Sequence, residues 1–170
     1  MILHGINVIL RPIELEDADL LRNMINDPKM EAFVVGYSFP VSKLQQSEWI
    51  KNLGSKKNEF RAIIDVKGTA IGMVMLTDID FKNGTAEIHI KIADTKHRGC
   101  GYGKDVIDCL TSYAFDDLRL NCIYCSIRED NVASQKLFES CGYECEGVLR
   151  NRIFKSGQHF NLLSYSKVKE

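Results

Sequence analysis

The feature that most constrains the fold is a glycine-rich turn at residues 98–104, which read Arg-Gly-Cys-Gly-Tyr-Gly-Lys. An alternating strand pattern through Ile88, Ile90 and Ile92 ends just before it, and an amphipathic helix pattern follows from Gly103. Glycines let the chain turn tightly and let a ligand approach the backbone closely. The first amides of a helix have no acceptor within it. This junction therefore predicts an anion site suited to a phosphate or pyrophosphate.

The spacing of the glycines separates this turn from two other phosphate-binding motifs. A Walker loop ends in Gly-Lys-Ser/Thr, whereas Lys104 is followed by Asp105. A dinucleotide fingerprint has the form G-x-G-x-x-G after a first strand, whereas Gly99, Gly101 and Gly103 form G-x-G-x-G past the middle of the chain. A turn that binds nothing stays an alternative, because glycine-rich turns are common.

Composition narrows the class of protein. The 170 residues carry a net charge of -1, which argues against a broad nucleic-acid-binding or polybasic membrane surface. No apolar run reaches the length of a membrane span, and residues 1–10 lack the basic and apolar parts of a secretory signal. We therefore expect a single domain over residues 1–170 that is cytoplasmic, with neither a nucleic-acid nor a membrane partner.

The six cysteines do not indicate a metal site. Cys122 and Cys125 have a spacing that metal sites use, but they lie in a strand pattern. Residues three apart on a strand face opposite sides of the sheet. No second pair of ligands stands at zinc spacing, so we expect free thiols and no metal.

The order of patterns along the chain predicts the fold class. The predicted strands cover residues 6–11, 60–66, 70–79, 86–93, 122–128, 144–154 and 160–168. The predicted helices cover residues 14–25, 46–53, 103–118 and 132–141. This order implies an α/β (α+β) domain with a mixed, mostly antiparallel seven-stranded sheet and about four flanking helices. A parallel crossover surrounds the helix that follows the glycine turn.

Two motifs and the tail resemble the GNAT superfamily of acetyl-CoA-dependent N-acetyltransferases. Arg98, Gly101 and Gly103 match the Arg/Gln-x-x-Gly-x-Gly/Ala motif that binds the cofactor in that family. Residues 131–143 match its second signature, an Asn ahead of a helix that leads to a Gly-aromatic pair. The tail at residues 146–158 resembles the Rim-type branch, which includes spermidine and ribosomal-protein acetyltransferases.

The resemblance implies a sheet that splays between its fourth and fifth predicted strands and holds acetyl-CoA there. The pantetheine arm would pair with the fourth strand like an added strand, and a strand amide would polarise the thioester carbonyl. The turn would bind the pyrophosphate. The residues that the resemblance implies for the cofactor are Ile90, Lys91, Ile92, Arg98, Gly99, Cys100, Gly101, Tyr102, Gly103, Lys104 and Asn131.

The resemblance also implies direct attack of an amine on the thioester, without an acyl-enzyme. Glu87, at the start of the fourth predicted strand, is the candidate base and would act through water. A solvated strand carboxylate is the alternative for this residue. Many family members protonate the leaving thiolate with a Tyr where this chain has Phe138. Ser134 is therefore the remaining, weakly acidic candidate donor.

The sequence leaves the acceptor amine open. Glu31 and Glu48 are candidate ligands for a polyamine, and Tyr37 is a candidate for stacking on a sugar or aromatic acceptor. A small-molecule amine is the preferred substrate, and a protein N-terminus is the alternative. A non-catalytic acetyl-CoA sensor is a third hypothesis, which Phe138 favours. The oligomeric state stays open, a homodimer included.

Overall fold

The computed structural model describes residues 1–36, 39–55 and 57–170. Eight strands form one sheet in the spatial order β1-β2-β3-β4-β5-β6-β8-β7. The strands are β1 (Leu3–His4), β2 (Ile9–Arg11), β3 (Phe60–Val66), β4 (Thr69–Asp80), β5 (Thr85–Ile92), β6 (Cys122–Arg128), β7 (Glu144–Lys155) and β8 (Gln158–Val168). The helices are α1 (Ala18–Asn26), α2 (Pro28–Glu31), α3 (Lys43–Lys51), α4 (Tyr102–Asp116) and α5 (Val132–Ser140).

The sheet confirms the predicted mixed topology. Strands β5 and β6 pair in parallel, with α4 as the crossover between them, and the other strand pairs of the described residues are antiparallel. The β5–β6 register runs only from Thr85↔Cys122 to Glu87↔Tyr124. The two strands therefore diverge after their first residues, which is the splay expected between the fourth and fifth predicted strands.

Two apolar clusters lie on opposite faces of the sheet because side chains alternate along its strands. Ile64 of β3 joins the cluster that buries Ile107 of α4, whereas its neighbour Ile63 joins the cluster under α1 and α3. The glycine turn and α4 thus approach the sheet from one side, and α1 and α3 cover the other. Among the described residues, no helix is long and apolar enough to cross a membrane.

The structure differs from the prediction in three short elements. It has an eighth strand, the two-residue β1, and a fifth helix, the single-turn α2, both too short to give a periodic pattern. Proline at the first position and Asp27 as N-cap stabilise α2. The predicted strand over residues 6–11 is reduced to β2, because the backbone amides of residues 6–8 donate to a side chain of α4 instead of to a neighbouring strand.

That side chain is Asp105, which is buried in the first turn of α4. Its carboxylate accepts hydrogen bonds from the backbone N–H groups of Ile6, Asn7 and Val8 at 2.8, 2.6 and 3.1 Å. We expect Asp105→Asn to lower the free energy of unfolding by about 1–3 kcal/mol, because the amide NH2 replaces an acceptor and leaves buried donors unsatisfied. Urea unfolding measures this loss.

The matched control for Asp105→Asn is Asp108→Asn, one turn later on the same helix. Asp108 is half exposed and pairs with Lys104 at 2.8 Å, and exposed ion pairs contribute little to stability. Equal unfolding free energies for the two variants would contradict an anchoring role for Asp105.

Candidate functional site

The glycine turn presents unpaired backbone amides to open space. Gly101 is the N-cap of α4 with a φ of 82°, a left-handed conformation that glycine adopts without strain. A Cβ atom added at Gly99 or Gly101 would meet nothing within 4 Å. After Arg98, the first backbone N–H that donates to a backbone carbonyl in the described chain is that of Asp105, to Gly101 at 3.1 Å. The amides between them are free to hold an anion.

The two cations of the turn have different partners. Arg98 is exposed, and its Nη2 atom donates to the carbonyl of Ile92 at the end of β5, at 3.1 Å. Lys104 donates from Nζ to Asp108 and to the carbonyl of Ser140, each at 2.8 Å. The hydrogen bond to Asp108 raises the pKa of Lys104. Arg98 therefore ties the turn to the splayed strand, whereas Lys104 ties α4 to the end of α5.

The remaining side chains of the turn are peripheral to its amides. Cys100 is exposed, with its Sγ atom 3.5 Å from the carbonyl of Lys96. Tyr102 is half buried against the core and lies with its ring centroid 6.3 Å from that of His97. The predicted phosphate site thus consists of backbone, as the glycine spacing indicates.

The open edge of β5 leads from this turn into the sheet. Residues 88–92 pair with β4, from Leu76↔Ile88 to Gly72↔Ile92. They have no register partner on β6, whose pairing ends at Glu87. Ile90 and Ile92 are half buried and pack against the core. This edge offers backbone donors and acceptors to an extended ligand of amide groups.

Glu87 lies where the two strands begin to diverge. Its side chain is 19% exposed, and its Oε2 atom is 3.5 Å from Nε2 of His89. The same nitrogen is 3.0 Å from Oγ1 of Thr77. The hydrogen bond with His89, and a further one with Ser126, lower the pKa of Glu87 below its ordinary value of 4.5, although burial opposes this shift. The carboxylate is therefore ionised at neutral pH.

The sequence identified Glu87 as a candidate, but it gave no signal for Thr77 and Ser126. Both follow from strand register, since Thr77 pairs with Glu87 and Ser126 lies two residues beyond Tyr124 on β6. Lys91 lies on the same face as Glu87 and His89 by alternation. Burial, and then the nearby charge of Arg61, lower the pKa of Lys91.

The start of α5 carries the second predicted motif. The Oδ1 atom of Asn131 accepts the N–H of Ser134 at 3.2 Å, so Asn131 is the N-cap of the helix. Ser134 is half buried in the first turn of the helix. Phe138 is only 3% exposed and packs edge-on against Tyr143 with centroids 5.1 Å apart. Both rings belong to the core.

The Tyr143 hydroxyl is also unsuited to proton donation. It hydrogen-bonds Oγ1 of Thr111 at 2.8 Å in a buried environment, and burial raises its pKa. Burial likewise raises the pKa of the Cys141 thiol.

Two of the three candidate acceptor ligands, Glu31 and Glu48, lie in the described part of the chain. Glu31 forms an ion pair with the buried Lys155. Glu48 is exposed on α3. Tyr37 lies outside the described residues. Within the described parts of the chain, no group of three or more His, Cys, Asp or Glu residues is arranged to hold a metal ion.

Comparisons with known proteins agree with this geometry. A family model described as an acetyltransferase (GNAT) domain matches residues 7–144. An uncharacterized N-acetyltransferase, p20, of Bacillus licheniformis is 30% identical over 94% of this chain and 92% of that protein. A spermidine N(1)-acetyltransferase of Vibrio cholerae is 28% identical over 88% of this chain and 86% of its own length.

Solved structures share the architecture. A structure of the Vibrio cholerae spermidine N-acetyltransferase in complex with CoA and spermine has a TM-score of 0.87 to this chain, with 24% identity and 95% of each chain covered. A probable acetyltransferase also has a TM-score of 0.87, at 27% identity, over 99% of this chain and 97% of its own. These likenesses confirm the fold class predicted from the order of elements.

Proposed function

Because this chain belongs to the GNAT family of acetyl-CoA-dependent N-acetyltransferases, we propose that it acetylates a primary amine of a small molecule, such as a polyamine or an amino sugar. The observation that carries the proposal is the ionised Glu87 beside His89 at the point where β5 leaves β6. Relatives named as spermidine N(1)-acetyltransferases support a small acceptor.

The donor is acetyl-CoA, and the residues of this chain fit it. The free amides of residues 99–104 suit its pyrophosphate, and the open edge at residues 88–92 suits the amide groups of its pantetheine arm. Asn131 uses its carbonyl oxygen as the N-cap of α5, so its NH2 group is the donor left for the arm. Bound acetyl-CoA supplies an acetyl group activated as a thioester.

Glu87 handles the proton of the acceptor in this proposal. An alkylamine has a pKa near 10, so its deprotonation at pH 7 costs roughly 4 kcal/mol unless a base helps. The lowered pKa of Glu87 makes it a weak base by itself. The neighbouring His89 ring offers a nitrogen as a second site for the proton, besides the Glu87 carboxylate. In this proposal the two side chains act as one proton acceptor through water.

The leaving thiolate has few donors in the described structure. Phe138 carries no acidic hydrogen, and the Tyr143 hydroxyl is held by Thr111 in the core. A thiol with a pKa near 8.5 leaves as thiolate at a modest cost near neutral pH. Ser134, with its amide tied to Asn131, stays the candidate donor from this chain.

The experiment that tests the proposal is thiol release from acetyl-CoA across a panel of amines. The panel contains spermidine, an amino sugar and a short peptide with a free N-terminus. We expect release to accelerate with one or both of the small amines and to stay at the background rate with the peptide. Acceleration by the peptide alone would indicate protein N-terminal acetylation, and tight acetyl-CoA binding without release would indicate a sensor.

We expect Cys100 to be dispensable for the reaction. Its thiol projects from a turn that uses backbone amides, and direct attack needs no thiol nucleophile. Cys100→Ala should keep most of the wild-type rate in the thiol-release assay, with an unchanged KM for acetyl-CoA. An acetyl-enzyme trapped on any of the six cysteines, detected by intact mass, would contradict direct attack.

A further inference from the structure

Residues 31–36 run from the last residue of α2 into the loop that follows it, and two buried cations hold them against the C-terminal half of the sheet. We infer that Arg128 and Lys155 are positioning residues that fix segment 31–36 as a wall of the acceptor site. This inference rests on the proposed acetylation of a small amine and adds what shapes the pocket for that amine. No sequence motif marks Arg128 or Lys155, because the residues that they bind lie about a hundred positions away in the chain.

Arg128 is the last residue of β6 and is only 8% exposed. Its Nη1 atom donates to the carbonyl of Ala32, and its guanidinium lies between two rings, 4.7 Å from the centroid of Phe33 and 4.3 Å from that of Phe160. Asp130 accepts from Nη2 at 2.8 Å. A planar cation stacked on both faces and bonded at its edges has one orientation. Arg128 therefore holds segment 31–36 through the carbonyl of Ala32 and through the ring of Phe33.

Lys155, at the end of β7, makes the second attachment. Its side chain is 8% exposed, and Nζ donates to the Glu31 carboxylate and, at 2.5 Å, to the carbonyl of Gly36. Lys155 thus holds both ends of segment 31–36, and Arg128 holds residues between them. Burying an ammonium is costly unless it is paired and hydrogen-bonded, and here the partners come from this segment.

Backbone hydrogen bonds continue from α2 into residues 31–34, for example from the N–H of Ala32 to the carbonyl of Pro28 at 3.1 Å. Apart from these bonds and the two cations, the described structure shows little apolar packing of the segment. None of residues 31–36 belongs to either apolar cluster or to the side chains packed against them. Phe33 is 47% exposed even though it stacks on Arg128. Loss of a cation is therefore expected to release the segment without unfolding the core.

The attachment places the segment beside Glu87. Tyr124 pairs with Glu87 in the parallel register, so Tyr124, Ser126 and Arg128 share the sheet face of that carboxylate. Ser126 hydrogen-bonds Glu87, and Arg128 is two residues further, about 7 Å along the strand. A segment fixed on Arg128 therefore borders the side from which an amine reaches Glu87. The glycine turn and α4 lie on the other side of the sheet.

The test compares Lys155→Met with Lys155→Arg, which keeps a cation. The assay is steady-state kinetics with an amine that the wild type acetylates, together with acetyl-CoA titration and hydrogen exchange of the peptide that covers residues 31–36. We expect Lys155→Met to raise the amine KM about tenfold and change kcat far less. The segment should exchange faster, the acetyl-CoA Kd should stay within about twofold, and Lys155→Arg should restore most of the affinity for the amine.

Two further variants complete the design. Lys169→Met is the matched control, since Lys169 also contacts a carboxylate, Asp116, and a carbonyl, that of Phe115. It should leave the amine KM unchanged. Phe33→Ala removes the exposed ring from Arg128 and does not endanger the core. We expect it to raise the amine KM about threefold to tenfold, so it decides the question even if Lys155→Met does not fold.

The outcomes separate this inference from the proposed function. Wild-type turnover of a small amine is measured first and tests the proposed function alone. Unchanged exchange of residues 31–36 in both Lys155→Met and Phe33→Ala would show that these contacts do not hold the segment. Faster exchange with an unchanged amine KM would show that the segment is not a wall of the acceptor site. Either result overturns the inference.

Discussion

A Gly101→Asp variant should fold and lose acetyl-CoA binding. Its carboxylate would stand among the free amides of the turn, where the pyrophosphate must lie, and would repel it. The left-handed backbone at Gly101 adds strain for any residue with a Cβ. We expect wild-type affinity in the micromolar range, a binding free energy near -8 kcal/mol. Isothermal titration should detect no binding to the variant.

The control for strain alone is Gly54→Asp. Gly54 has a φ of 87° and open space around it, as Gly101 does, but it lies after α3. The Gly54→Asp variant should bind acetyl-CoA with the affinity of the wild type. Gly103→Asp is a less clean test, because a Cβ there would lie 3.1 Å from Cδ2 of Leu137 and disturb the contact of α4 with α5. Unchanged affinity in a folded Gly101→Asp variant would rule out the turn as the pyrophosphate site.

Glu87→Gln should lower kcat about a hundredfold or more, the usual loss when a general base is removed. Glutamine keeps the shape and the contact with His89 but cannot hold a proton. The acetyl-CoA Kd should barely change, because the carboxylate is not needed for the phosphate or pantetheine contacts. Glu144→Gln, on the edge strand β7, is the matched control and should behave like the wild type.

The pH dependence of this variant distinguishes the roles of Glu87. Because the pKa of Glu87 lies below 4.5, the wild-type carboxylate is already ionised through the neutral range and its own titration should not limit the rate there. The deficit of Glu87→Gln should shrink at high pH, where the amine loses its proton unaided. A loss confined to the amine KM would indicate cation binding instead. A pH–rate profile that overlays the wild type would exclude both roles.

Local sequence patterns were sufficient to predict the structure of segments whose conformation depends mainly on residues nearby in the sequence. The predicted strand over residues 60–66 and that over residues 122–128 have the observed bounds. Ser42 caps α3 with Gln45 in a capping box, which involves residues only three positions apart. The glycine turn depends only on its own φ angles and on the helix that it starts, so its spacing predicts a backbone anion site without any tertiary contact.

Tertiary structure decided the contacts between residues that lie far apart in the sequence. Residues 6–8 form a turn and not a strand because a carboxylate almost a hundred positions later takes their amides. Strand register places Thr77 across from Glu87 and brings Ser126 to the Glu87 carboxylate, where its hydrogen bonds add to that of His89 in lowering the pKa of Glu87. Glu31, a candidate polyamine ligand in the sequence, forms an ion pair with Lys155 of a distant strand. The sequence by itself therefore determined the fold class and the family, and it predicts the donor site. The partners of each acceptor-side charge depended on how distant strands pair, because periodicity specifies which face a side chain occupies but not what lies across from it.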